Sequence, residues 1–412
     1  MVNRFTKDIN KEFIKEVIKK YGSPVYVFDE ASFIENYKNL QKSFLKYYPK
    51  YKIAYSYKTN YTPYVCKLIK RLGGYAEVVS DFEYHIAKKI GYDSRQIIYN
   101  GPYKLKYMYR HLIEGGINNI DNEQEAINIV KFARENKDTT FKFGLRVNID
   151  IGQSFISRFG MDPKSAEFTR VLNMINDTSN CRIVGLHCHV GQSRGLDSWI
   201  NRTERIIEII DNYFNKNLLE YIDLGSGMFG DMEPEFKNQF ENVPTYDEYA
   251  REVGSRIVAY YKGVPADKLP TLFTEPGATA ISRYFFLATT VMSKKTVRGR
   301  CVAGLDSSFF NAGETCRYKK LPIKVFSNGS TNENIDLVGY TCLEEDVIYK
   351  NYKGTINVGD IVVFGNVGGY STVFKPPFIM PDCASIVWKD DSSIDVIKRK
   401  QSYEDILVNY VL

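Results

Sequence analysis

From about residue 35 to residue 280 the chain repeats one unit, a short β-rich run followed by a longer stretch with helical spacing. Eight runs read as strands: Lys52–Tyr57, Tyr75–Val79, Gln96–Tyr99, Asn118–Ile120, Lys142–Val147, Arg182–Cys188, Tyr221–Leu224 and Thr271–Thr274. The stretches between them carry apolar residues at helical intervals, as in Asp197–Phe214 with Ile200, Ile206, Ile207, Ile209 and Ile210. Strands that alternate with helices pair in parallel, because a helical crossover brings the chain back to the same end of the sheet. Eight such units over about 250 residues predict a (β/α)8 TIM barrel. After residue 280 short strand-like runs follow one another with turn signals: Thr289–Met292, Ile323–Phe326, Thr355–Val358 leading into Asp360–Phe364, and Ala384–Val387. These predict a C-terminal antiparallel β-domain, a sandwich or small barrel. The lone run Pro24–Phe28 is assigned to it. The expected domains are therefore 35–281 for the barrel and 282–412, with 24–28, for the β-domain.

Composition excludes several classes. Hydrophobic residues make up 44% and charged residues 25%, ordinary for a globular chain. No apolar run reaches membrane-spanning length. The stretch Met1–Lys20 is polar, without the apolar centre of a signal peptide. The net charge of +6 is spread without like-charge blocks, so neither a nucleic acid nor a membrane partner is expected. Seven cysteines without CxxC pairs read as reduced thiols in a cytoplasm rather than as disulfides or a zinc site.

Barrel chemistry sits at the C-terminal strand ends. In chain order those ends carry Lys58; Asp81 and Glu83; Asn100-Gly101; Asp121; Arg146; His187 and His189; Gly225-Ser226-Gly227; and Glu275-Pro276-Gly277. A rim serving stability alone would not need so many ionisable groups and glycines. Lys58, behind an apolar strand, suits a nucleophilic amine for a carbonyl or pyridoxal phosphate; a snorkelling strand-end lysine reads as well. Gly225-Ser226-Gly227 suits a phosphate cradle or a plain tight turn. His187 and His189 point to one face, as metal ligands, core histidines or, for one of them, a ring packed on a cofactor. With only four histidines, two of them (His85 and His111) in helical patterns, no metal site is expected. Glu275 suits a carboxylate holding a protonated pyridine nitrogen, or one that ties down a turn.

Together these motifs resemble the fold-type III pyridoxal-phosphate decarboxylases of ornithine, arginine and diaminopimelate. The resemblance runs from Tyr21-Gly22-Ser23-Pro24 to Ser402-Tyr403-Glu404-Asp405 and is greatest toward the diaminopimelate branch. Gly185-Leu186-His187-Cys188-His189-Val190-Gly191 is its most specific phrase. Ala54-Tyr55-Ser56-Tyr57-Lys58-Thr59-Asn60, Glu77-Val78-Val79-Ser80, Leu145-Arg146-Val147-Asn148 and Ser157-Arg158-Phe159-Gly160 match in order. The resemblance implies an alanine-racemase-like barrel with pyridoxal 5'-phosphate on Lys58. His189 would stack on the ring, Glu275 would pair with its nitrogen, and Gly225, Ser226, Gly227, Gly277 and Tyr370 would hold the phosphate. Arg146 is counted with this cofactor set. Cys342, within Gly339-Tyr340-Thr341-Cys342-Leu343-Glu344-Glu345-Asp346, would reach the neighbouring subunit's site and return a proton, making the enzyme a homodimer with shared sites. Asp306, Arg317, Asp346 and Tyr370 would face an amino-acid substrate.

Two positions depart from the family pattern. The usual Glu-Pro-Gly-Arg reads Glu275-Pro276-Gly277-Ala278, and the glutamate expected after the reactive cysteine is Leu343. The reaction expected is decarboxylation of a diamino acid such as meso-diaminopimelate. A carboxynorspermidine-, ornithine- or lysine-like substrate is the alternative that Ala278 and Leu343 keep open. A racemase-like isomerase would want an arginine where Glu275 stands. A non-catalytic regulator would lack the lysine, histidine, glutamate and cysteine found here.

Overall fold

The computed structural model describes residues 9–152, 156–329, 331 and 333–411; the first eight residues of the Met1–Lys20 stretch lie outside the described residues. The chain forms two compact units. One comprises residues 38–229 and 242–279, the other the described residues up to Tyr37 together with 230–241 and those from Ala280 onward.

Short, buried runs make the first unit. Following β1 (Val25–Asp29), its strands are β2 (Tyr51–Ser56), β3 (Tyr75–Val78), β4 (Ile97–Tyr99), β5 (Ile117–Ile120), β6 (Phe141–Arg146), β7 (Cys181–His187), β8 (Tyr221–Asp223) and β9 (Thr271–Thr274). Each pairs in parallel with the next, and β9 closes on β2 as Tyr51 pairs with Leu272. All eight expected strands form, their ends moved by at most one residue. Tyr221 fills the middle of the barrel with Ala54, Ile98 and Phe273. Two glycines make room for it: a Cβ on Gly144 would lie 2.1 Å from the Tyr221 hydroxyl, and one on Gly185 2.1 Å from its ring. The helix expected over Asp197–Phe214 forms as Leu196–Tyr213 and buries Ile206, Ile209 and Ile210.

The second unit is a nine-stranded sheet. It contains β1, β10 (Phe285–Val297), β11 (Arg300–Leu305), β12 (Ile323–Phe326), β13 (Glu333–Val338), β14 (Val347–Gly354), β15 (Ile361–Phe364), β16 (Ala384–Trp388) and β17 (Ile394–Lys398). The sheet branches at the long β10, whose first half pairs with β1 and β15 and whose second half pairs with β11. Most pairings are antiparallel, but β1 with β16 and β11 with β13 are parallel, so the sheet is mixed. Ile14 and Val17 of the helix Lys11–Tyr21 join Val25, Val27, Phe286 and Ile386 in its core.

One expected strand is corrected. Thr355–Val358 is the connection from β14 to β15, not a strand. Asp360 turns it, its Oδ2 accepting the Asn357 N–H at 2.6 Å. Strands β11, β13, β14 and β17 escaped the sequence reading because their polar, half-exposed faces break the apolar pattern. Among the described residues no helix is long and apolar enough to cross a membrane.

Buried His111 gives the barrel unit a pH dependence. Its Nε2 donates to the Ser94 carbonyl at 3.0 Å and its Nδ1 accepts from the Asn118 amide at 2.9 Å, so the ring is neutral. Burial pushes its pKa from 6.5 down to about 4. A folded value below the unfolded one means stability fully present above pH 6.5 and lost as pH falls toward 4. In urea titrations at stepped pH, His111→Gln should remove up to about 1.4 kcal/mol per pH unit of that acid-side slope. An unaltered slope would exclude His111 as its source.

Candidate active site

Lys58 follows β2 in a single 3-10 turn, Tyr57–Thr59. Its Nζ donates to Glu77 Oε2 at 2.7 Å, and its side chain is 31% exposed while Glu77 is buried. Ser56 donates its hydroxyl to the same oxygen. The Asn100 amide donates to Glu77 Oε1 at 3.2 Å and also to Glu275 Oε1. One side-chain amide thus bridges the lysine's carboxylate and the carboxylate that follows β9.

Glu275 is buried beside two imidazoles. His187 Nε2 lies 3.3 Å and His189 Nδ1 3.5 Å from its Oε2. Asp223, at the end of β8, accepts the Gly225 N–H at 2.9 Å with Oδ1, and its carboxyl meets that of Glu275. Two buried carboxyls this close cannot both ionise. Burial and the Glu275 charge push Asp223 well above the usual carboxylate range. Burial also pushes Glu275 up, but His187, His189 and Lys58 outweigh it and hold Glu275 well below that range. Asp223 therefore carries the proton and Glu275 the charge. His187, Asp223 and Glu275 offer atoms within 4.8 Å of one another, a spacing a metal could use. Asp223 Oδ2 and His187 Nδ1 have no hydrogen-bond partner there among the described residues.

His189 sits on the rim above Glu275. Its Nδ1 accepts the Ser226 N–H at 3.3 Å, and burial pushes its pKa from 6.5 down to about 4, so the ring is neutral at physiological pH. The loop it touches needs glycine. Gly225 and Gly227 have φ of 63° and 94°. A Cβ on Gly227 would lie 2.2 Å from the Val190 carbonyl oxygen, and one on Gly225 2.7 Å from His189 Nδ1. Gly277 packs against the lysine turn, where a Cβ would lie 2.0 Å from Thr59 Oγ1. Arg146, at the end of β6, is committed to Asp121 Oδ1 at 3.4 Å and to the Phe159 ring.

The barrel thus brings Lys58, His189, Gly225, Ser226, Gly227, Glu275 and Gly277 to one rim. Sequence reading left Glu77, Asn100 and Asp223 without roles. Their signal was an ionisable or amide residue within or just after a short apolar strand, as in Tyr75-Ala76-Glu77-Val78 and Tyr221-Ile222-Asp223.

Tyr370, Asp306, Arg317, Cys342 and Asp346 belong to the β-sheet unit. Cys342 is the one exposed cysteine of the seven. Asp346 is buried with its carboxylate committed to its own loop: Oδ1 accepts the Phe309 N–H at 2.7 Å, and Oδ2 accepts the Thr341 N–H at 3.0 Å and the Thr341 hydroxyl at 2.7 Å. It braces the turn that presents Cys342 and offers no open carboxylate to a substrate. Asp306 Oδ1 accepts from Thr290 N and the Thr289 hydroxyl, Arg317 lies over the Phe309 ring, and Tyr370 packs on Phe374.

An amine backed by a carboxylate, a neutral imidazole, a buried ionised carboxylate and a cradle that excludes Cβ atoms fit an aromatic aldehyde bearing a phosphate. Gly227→Ala should weaken pyridoxal phosphate binding at least about tenfold, the clash and the positive φ both opposing it. Absorbance titration of the variant checks this, and wild-type affinity would remove the loop from the site.

Comparison with known proteins agrees with this chemistry. Over 96% of its length the chain is 25% identical to a diaminopimelate decarboxylase of Methanocaldococcus jannaschii, covering 93% of that protein. It is 24% identical, over 97% of the chain and 96% of the relative, to an L-glutamyl-(BtrI acyl-carrier protein) decarboxylase of Niallia circulans. A crystal structure of diaminopimelate decarboxylase from M. jannaschii superposes with a TM-score of 0.85 at 23% identity, covering 96% of this chain and 94% of that one. Residues 31–282 match the family described as pyridoxal-dependent decarboxylase, pyridoxal binding domain, and the chain belongs to that family.

Proposed function

We propose that this pyridoxal-phosphate-dependent amino-acid decarboxylase acts on a diamino acid of the meso-diaminopimelate kind, releasing CO2 and L-lysine, as a homodimer with shared sites. The observation that carries the reaction type is Glu275, a buried carboxylate that the Asn100 amide donates to and that lies 3.3 Å from His187 and 3.5 Å from His189. Bound at this rim, pyridoxal phosphate supplies a protonated ring that withdraws electrons from the bond to the departing carboxylate.

The chain's residues do the rest. Lys58 offers its Nζ to the cofactor aldehyde, and Glu77 fixes where that amine points. Glu275 keeps a proton on the ring nitrogen, which a neutral partner would not do. His189 would cover one face of the ring. Gly225, Ser226, Gly227 and Gly277 leave room for the phosphate. Cys342 stands exposed on a braced turn, suited to deliver a proton into the site of a second copy. The exposed side chains of Leu343, Phe374, Phe378 and Met380 are apolar surface that such a copy would cover. Asp306 and Arg317 are assigned to the substrate's polar ends.

A second reading has the same chemistry and another substrate. Ala278 has no donor for a distal carboxylate, and Leu343 is apolar and 39% exposed where a distal amine would want an acceptor. The two relatives described above are named for different substrates. CO2 release from meso-diaminopimelate, D- and L-lysine and ornithine, arginine and carboxynorspermidine decides between the readings. Release from meso-diaminopimelate alone is expected; release from another member instead would overturn the first reading.

Glu275→Gln tests the reaction type. It should cut turnover at least a hundredfold, about 2.7 kcal/mol of barrier, with the cofactor still bound. Near-normal turnover would remove Glu275 from its role.

A further inference from the structure

Behind the glycine loop lies a buried arginine that the mechanism above does not use. Arg202, on the helix Leu196–Tyr213, is fully buried. Its Nη1 donates to the carbonyls of Leu224 at 3.0 Å and Ser226 at 2.7 Å. Its Nη2 donates to the Val190 carbonyl at 3.1 Å, the Ser193 carbonyl at 3.5 Å and the Ser198 hydroxyl at 3.1 Å. The guanidinium also lies over the Trp199 ring. One side chain therefore holds both the loop after β7 and the loop after β8.

Two features set this arginine apart from a structural strut. Among the described residues it has no carboxylate within ion-pair distance, and its Nε has no partner. Buried charges are normally paired. Burial pulls its pKa from 12.5 down to about 10, so it stays cationic at neutral pH. Its charge is thus unbalanced among the described residues. The second feature is direction. In a trans peptide the carbonyl and the following N–H point opposite ways. With the Ser226 and Val190 carbonyls turned onto Arg202, the N–H groups of Gly227 and Gly191 face the other side. Neither has an acceptor among the described residues.

We propose that Arg202 is a positioning residue that makes the cofactor site selective for the phosphorylated ligand. It turns the N–H groups of Gly191 and Gly227 outward from both loops and places a fixed positive charge behind them. The proposal rests on the reading of Gly225–Gly227 as the phosphate cradle. Ala278, which follows Gly277, carries no charge, and Arg202 is the cation that the loop's own carbonyls hold behind it.

The test compares pyridoxal phosphate with pyridoxal, which lacks only the phosphate. Wild type, Arg202→Met and Arg202→Lys are stripped of cofactor and titrated with each ligand by visible absorbance, with circular dichroism to confirm folding. The pyridoxal phosphate to pyridoxal affinity ratio should fall by about thirtyfold in Arg202→Met. It should fall less in Arg202→Lys, which keeps the charge with three donors instead of five. Inorganic phosphate should compete with pyridoxal phosphate in wild type and lose that ability in parallel. An arginine that merely braces the fold would weaken both ligands equally, and an unchanged ratio in a folded variant overturns the proposal. If Arg202→Met does not fold, the ratio in Arg202→Lys decides by the same criterion. Wild type that binds both ligands equally would refute the cradle reading itself, and that result needs no variant.

Discussion

A carboxylate that must stay charged out of contact with water is the constraint on which this barrel depends. Removing an ion from water costs several kcal/mol, and each hydrogen bond to the charge returns about 2 kcal/mol. Glu275 has the Asn100 amide and His187 Nε2 beside it, and Asp223 takes the proton that the pair cannot do without. The Asn100 amide is not free to turn. The Tyr221 hydroxyl donates to Asn119 Oδ1, which leaves the Asn119 amide to donate to Asn100 Oδ1. Asn100 must then aim its own N–H groups at Glu77 and Glu275. A string of hydrogen bonds rooted in the barrel interior thus fixes the charge state at its mouth. Gly144 and Gly185 belong to the same device, since without them Tyr221 could not occupy its place.

Charge and cradle are built from shared atoms. Asp223 gives one carboxyl oxygen to the Gly225 N–H, and the Glu275 charge beside it raises its pKa. The Glu275 N–H in turn donates to the Gly225 carbonyl at 2.8 Å. A shift of the glycine loop would therefore move the proton cluster, and a change of protonation would tug on the loop. Arg202 holds that loop from behind through its carbonyls. The site gains its rigidity from the ends of strands and the helix behind them, not from its own loops.

What could be read in the sequence follows from how local each signal is. Eight buried strands announce themselves because both faces of a parallel strand are apolar, and their ends then locate Lys58, His189 and Glu275 without further information. The missed strands of the sheet unit were hidden because polar, partly exposed residues alternate with the buried ones, as in Glu333–Val338, and break the apolar run. Glu77, Asn100 and Asp223 lie at marked positions, yet the Asn100 amide joins carboxylates 23 and 175 residues away, and no local pattern encodes which acid keeps a proton. Arg202 was the hardest to find. On a helix an arginine is expected to face solvent, and only the carbonyls converging on it reveal otherwise. Asp346 erred in the opposite direction, an acidic residue beside the key cysteine whose carboxylate is consumed by its own turn.

The residues proposed for the reaction and those proposed for specificity occupy different kinds of structure here. Lys58, Glu77 and Glu275 are coupled through one amide, so replacing any of them disturbs the others, and such a set can change only as a whole. Ala278 and Leu343 stand outside that network. Ala278 opens a four-residue helix, and Leu343 lies on an exposed turn that Asp346 holds in shape whatever side chain it presents. A residue on a braced turn can change its chemistry without moving its backbone. A polar substrate end that meets such an apolar side chain loses a hydrogen bond it had in water, and sites discriminate most strongly by that kind of loss. On the function proposed above, the two departures fall where a decarboxylase can exchange one substrate for another while its charged core, and with it the bond it breaks, stays the same.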